Sequence, residues 1–150
     1  MPVRERARQR RFPSLAAEAL VSLVVAADHF TQQADALCAR HGITGDQMNV
    51  LRILRGAHPQ GHPRFEVGLR LMRRSPDVTR LLDRLERQGL VERARSGDDA
   101  RLSVARITKP GLKLLATIDP ELDELMQSVT RPVSQAQLRQ LARLCDALVP

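Results

Sequence analysis

Apolar residues recur at helical spacing from Leu15 to about Arg40, with Ser14 ahead as an N-cap and His41-Gly42 behind as a stop. Leu20–Ala27 is too apolar for a lone surface helix, so either the domain wraps it or a second copy of the chain does. Thr44-Gly45-Asp46-Gln47 fits a capping box, Met48, Leu51 and Leu54 follow on one face, and Gly56 closes that helix. Ala57–Pro63 reads as a loop and Arg64–Met72 as a short helix. Ser75-Pro76 then predicts a helix start, because the serine oxygen accepts from an orphan N–H and proline has none to leave unpaired. Val78, Leu81, Leu82 and Leu85 mark its buried face, and Gly89 after Gln88 its end. The opposite face keeps Asp77, Thr79, Arg80, Asp83, Arg84 and Arg87.

The period then changes. Leu90–Arg95 and Leu102–Ile107 alternate loosely between apolar and polar positions, and Ser96-Gly97-Asp98-Asp99-Ala100 between them is turn-forming. Thr108 caps the next helix, with Pro110 in its first turn, where a missing N–H costs little. Leu112, Leu115 and Ile118 carry it forward. Asp119-Pro120 is expected to break or kink it before Leu122, Leu125 and Met126 resume the pattern. Pro132 ends this stretch. Ser134-Gln135-Ala136-Gln137 is a second capping box, opening a helix with Leu138, Leu141, Leu144, Cys145 and Leu148.

This order predicts a mainly α protein with a small β-hairpin wing, a winged helix-turn-helix whose second helix is the reader. The helices at both chain ends hold more apolar surface than one small winged domain needs, so an intertwined helical homodimer is expected. Residues 1–12 form a basic flexible arm, read either as a solvated tail or as a strand reaching DNA backbone or minor groove. Residues 13–150 form a single subunit. In it, 13–42 and 112–150 supply the dimerisation helices, and 43–111 the DNA-binding lobe.

Composition narrows the partner. The 150 residues carry 24 Lys and Arg against 17 Asp and Glu, a net charge of +7 that favours a polyanion. Aromatics are 2% with no Trp or Tyr, so the core must come from Leu, Val, Ile and Ala. No apolar run approaches the ~18 residues a membrane span needs, and the basic start lacks the apolar centre of a signal peptide. A soluble cytoplasmic protein is expected. The two cysteines, Cys38 and Cys145, do not make a disulfide framework. No Gly-rich phosphate loop, HExxH or CxxC pattern is present, so an enzyme is not expected. His58 and His62 lack a nearby thiol and read as loop residues, with no metal or other cofactor implied.

TRLLDRLERQGLVER, followed by DDAR and then ITKPG, resembles the MarR family of bacterial transcriptional regulators. The likeness is strongest over residues 75–111. It implies a homodimer that binds a pseudo-palindromic operator in double-stranded DNA, most simply as a repressor released by a small aromatic or phenolic effector. The chain departs at the wing, where Ala100 stands before Arg101 in place of a first arginine.

On this reading Ser75, Thr79, Arg80 and Arg84 lie in or beside the major groove. Either of the two arginines can pair in two-pronged fashion with guanine, worth ~1–3 kcal/mol in discrimination. Asp77 either accepts from cytosine or favours the helix N-terminus electrostatically. Arg73 and Arg74 suit phosphate, as do Arg93 and Arg95 on the strand. Arg101 resembles the family's retained wing arginine, with Asp99 supporting it. Cys38 and Cys145 leave open a redox-sensing regulator, although the family's oxidant sensors pair such a thiol with tyrosines that this chain lacks. A third reading is a winged-helix protein-interaction module.

Overall fold

The computed structural model describes residues 3–6, 8, 11–74, 77–95 and 103–149. The order is α1 (Val3–Arg6), α2 (Leu15–Arg40), α3 (Gly45–Gly56), β1 (His62–Pro63), α4 (Arg64–Arg70), α5 (Val78–Arg87), β2 (Val91–Arg95), β3 (Ser103–Ile107), α6 (Lys109–Thr130) and α7 (Gln135–Leu148). It is the mainly helical winged arrangement the polarity pattern predicts.

The caps form where the short polar residues stand. Ser14 accepts from the Ala17 N–H, and Thr44 and Ser134 both close reciprocal capping boxes with the glutamine three residues on. The reader helix has Asp77 as its N-cap, whose carboxylate accepts from the Arg80 N–H at 3.0 Å, and the helix runs from Val78; the expected start at Ser75-Pro76 lies outside the described residues. The Asp77 carboxylate thus serves the helix terminus. In the arm, Val3–Arg6 forms one helical turn that contacts α2.

A third strand also escaped prediction. β1 pairs antiparallel with β3, His62 opposite Ala105 and Pro63 opposite Val104, giving the sheet order β1-β3-β2. Gly61 makes the approach possible. It sits at φ 79°, and a Cβ there would lie 2.1 Å from the Ala105 carbonyl oxygen. On the other side of β3, Val91 faces Ile107 and Arg95 faces Ser103.

α6 runs unbroken through Pro120, contrary to the expected interruption. An internal proline costs a helix roughly 3 kcal/mol, but here contacts grip both sides of it. Ile118 and Leu122 are buried in the core, Asp119 is held by Arg55 of α3 at 2.5 Å, and Glu121 takes Arg40 at 2.7 Å and His41 at 2.9 Å from the end of α2. The carboxylates flanking the proline thus tie α6 to two other helices. Glu121 is held below the ordinary carboxylate range, chiefly by the Arg40 hydrogen bond and then by that of His41.

One core joins every element from α2 to α6 except β1. Leu37 and Cys38 of α2, Leu51 and Leu54 of α3, Val67 of α4, Leu82 and Leu85 of α5, Val91, Ile107, Leu115 and Ile118 pack together. It is aliphatic, as the composition requires, and Phe30 sits at its margin. α7 contributes no buried residue, and Leu20 and Val24 of α2 are exposed. No helix among the described residues is long and apolar enough to cross a membrane.

Candidate nucleic-acid interface

The reader helix is positioned from three sides. Its inner face packs Leu82 and Leu85 into the core. The turn before it is pinned by α3: Asn49 Oδ1 accepts from the Met72 N–H at 2.8 Å, and Arg73 lies 3.0 Å from Asp46. At its far end Gln88 donates to the Gly42 carbonyl at 2.8 Å and accepts from Gln47 at 3.2 Å. Gly89 follows with φ 73° and turns the chain into β2.

The wing is fastened to the same helix. Arg93 of β2 lies 2.5 Å from Asp83 and 2.6 Å from Glu86, both on α5. The bond to Arg93 holds the Glu86 carboxyl below the ordinary range, and Glu86 in turn raises the Arg93 guanidinium. β3 is then locked to α6 through Thr108. Its hydroxyl donates to the Gly89 carbonyl at 2.7 Å and accepts from Gly111 at 3.2 Å. Gly111 is a matter of space, since a Cβ there would lie 2.4 Å from the Leu90 carbonyl oxygen. This explains physically why threonine and glycine stand three apart in ITKPG.

What remains outward is basic. Arg80, Arg84 and Arg87 follow one another at four- and three-residue steps along α5 and are all exposed. Arg80 lies 3.2 Å from Asp77, a surface pair that water and phosphate can replace at little cost. Arg84 and Arg74 are exposed, and their guanidinium groups have no hydrogen-bond or ion-pair partner among the described residues. Thr79 is half-buried toward α4 and accepts from Arg64 at 2.8 Å.

Other expected contacts are placed differently. Arg73 is committed to Asp46, with Asp35 of α2 at 3.8 Å, so phosphate would have to displace an ion pair. Arg93 is inside the lobe and braces it. Arg95 ends β2. Ser75, Asp99 and Arg101, and with them the wing tip, lie outside the described residues. Arg64 was missed as part of the site; nothing local in the sequence connects it to Thr79, and only the packing of α4 on α5 does so.

Cys38 is buried, 3.5 Å from the Met48 sulfur. Burial, aided by the nearby Asp35 charge, pushes its thiol up, away from the thiolate that oxidation needs. Cys145 is half-buried on α7. Among the described residues no group of three His, Cys, Asp or Glu could hold a metal.

A core-anchored helix with an outward arginine row, beside a three-stranded wing, defines a winged helix-turn-helix protein. The MarR family model matches residues 41–102. Over 91% of this chain and 99% of the other, the fold superposes on a MarR transcription factor from Planctomyces limnophilus, with a TM-score of 0.72 and 31% identity. The chain belongs to the MarR family of transcriptional regulators. The S. aureus MepR structure solved with DNA gives a TM-score of 0.74 at 26% identity, covering 87% of this chain and 95% of that one. In sequence, the HTH-type transcriptional regulator MhqR of Bacillus subtilis is 32% identical over 91 residues, 58% of this chain and 61% of that protein.

Proposed function

We propose that the protein works in the cytoplasm as a homodimeric repressor, binding a pseudo-palindromic operator through α5 and the wing. The observation that carries this reading is the exposed row of Arg80 and Arg84 on a helix whose other face is fixed in the core. Such a row reads base edges, while Arg74, and Arg73 once freed from Asp46, suit the phosphates beside it. Arg95 and Arg101, with Asp99 in support, and Ser75 before the helix complete the proposed contact set.

Dimerisation is supported by apolar surface that the single chain leaves uncovered. Leu15, Leu20 and Val24 of α2 and Leu141, Leu144 and Leu148 of α7 are each at least half exposed. They fall within the proposed dimerisation segments, 13–42 and 112–150, and outside the lobe 43–111. Two lobes joined there would present α5 to successive grooves about 34 Å apart.

The proposed effector site is an open surface depression at the junction of α2, α5 and α6. A crevice of about 570 Å³ lies where the end of α2, the end of α5 and the start of α6 meet, lined by His41, Gln88, Leu90, Lys113, Leu114 and Thr117. Leu90 and Leu114 suit an aromatic ring, and Lys113 suits a phenolate. A ligand seated there touches both the lobe and α6, so it can change the spacing of the two reader helices.

The test is retention on duplex fragments of the source genome across a salt series. Wild type should be retained at low salt with a steep salt dependence. Arg80→Ala plus Arg84→Ala should lose both retention and sequence choice, while Cys38→Ser should keep them. Retention by the double arginine variant equal to wild type would refute the reading.

A further inference from the structure

We infer that Arg64 is a positioning residue: it holds the Thr79 hydroxyl so that its proton is offered to a base edge in the major groove. The inference rests on the proposed groove-facing role of α5. It starts from one bond, Arg64 Nη1 to Thr79 Oγ1 at 2.8 Å, between the first residue of α4 and the second of α5.

Threonine in a helix divides between two rotamers, because its hydroxyl can turn back to a backbone carbonyl. The cross-helix bond selects the one with Oγ1 toward α4. A hydroxyl has one proton and two lone pairs, and a guanidinium can only donate. The bond therefore occupies a lone pair and leaves the proton for another acceptor. The fixed positive charge beside the oxygen also polarises the O–H and makes it a stronger donor.

Donor character has a consequence for sequence choice. In the major groove, guanine offers N7 and O6, adenine N7 and thymine O4 as acceptors, whereas cytosine offers only its amino donor. Arg64 takes one lone pair and its charge weakens the second as an acceptor, so an Arg64-held Thr79 disfavours cytosine at the base it faces. Without Arg64 both lone pairs are free and regain full acceptor strength, and the selection relaxes.

The test is selection from a duplex library with a randomised core, using the full chain as wild type, Arg64→Met, Thr79→Val, the double variant and Arg64→Lys. Wild type should disfavour cytosine at one position per half-site by about fivefold, the scale of one net hydrogen bond. Arg64→Met and Thr79→Val should each remove that preference, and the double variant should add nothing further. Arg64→Lys, which keeps a donor, should restore part of it. The salt dependence of Arg64→Met should equal that of wild type.

Three results would overturn the inference. One is a uniform loss of affinity in Arg64→Met with the salt slope reduced by about 0.9, which would make Arg64 a phosphate contact. Another is an unchanged preference in Thr79→Val, and the third is additive effects in the double variant. Failure of wild type to bind duplex at low salt is a different result, because it removes the groove-facing role of α5 and this inference with it.

Discussion

Arg93 on β2 and Glu86 on α5 stand 2.6 Å apart, and Asp83 one turn back shares the same guanidinium. The wing is thereby tied to the reader helix by charge as well as by the chain. Arg93 is about three-quarters covered, while both carboxylates are more exposed, so solvent screens the pair in part. Arg93→Ala should lower unfolding stability by about 1 kcal/mol, since it also leaves Asp83 and Glu86 facing each other. Urea melts check the magnitude. If Arg93 instead contacts phosphate, the variant will keep its stability and lose part of its salt slope on DNA.

That pairing shows which parts of the molecule were legible in advance. Caps at Ser14, Thr44, Thr108 and Ser134 are local, each decided within four residues, and all four form as read. The face of α5 is likewise a matter of spacing alone. What the chain concealed is non-local. β1 is two residues long and exists only because Ala105 and Val104, some forty residues later, accept its edge. Pro120 looks like a stop until Arg55, Arg40 and His41 are seen to hold the residues on either side. The partners of Arg73 and Arg93 come from neighbouring helices, so both looked available for phosphate. Asp77 caps α5, and local propensity does not rank it against the nearby Ser75, which lies outside the described residues.

Gly111 gives a sharp steric test. A Cβ there meets the Leu90 carbonyl oxygen at 2.4 Å and Ile107 Cγ1 at 2.7 Å. Neither backbone nor buried side chain can yield cheaply. Gly111→Ala should cost about 2 kcal/mol or more and lower the melting temperature by several degrees. A variant melting within a degree of wild type would mean that α6 does not approach β2 this closely.

Glu121 links acid sensitivity to the α2–α6 junction. Arg40 and His41 depress its folded pKa below the unfolded value. Its contribution to stability is therefore present above the ordinary carboxylate pKa, about 4.3, and is lost as pH falls through the depressed folded value. Glu121→Gln should flatten the acid limb of the stability curve. A Gln variant with the same acid slope as wild type would remove Glu121 as the cause.

α7 carries the test of assembly. Leu141, Leu144 and Leu148 recur at three- and four-residue steps, and each is half exposed or more, so they form an exposed apolar stripe. Leaving such a stripe in water costs on the order of 1.5–3 kcal/mol per large side chain relative to burial. A second copy removes that cost on both sides at once, because a two-fold interface uses the same patch twice. Leu144→Glu places a charge in the middle of it. The lobe, which α7 does not help to fill, should keep its fold and its helical signal, while sedimentation should shift from two chains to one. DNA affinity should then fall steeply, since a single lobe engages one half-site without the benefit of a tethered second. A Leu144→Glu protein that still sediments as a pair would place the interface elsewhere on the molecule.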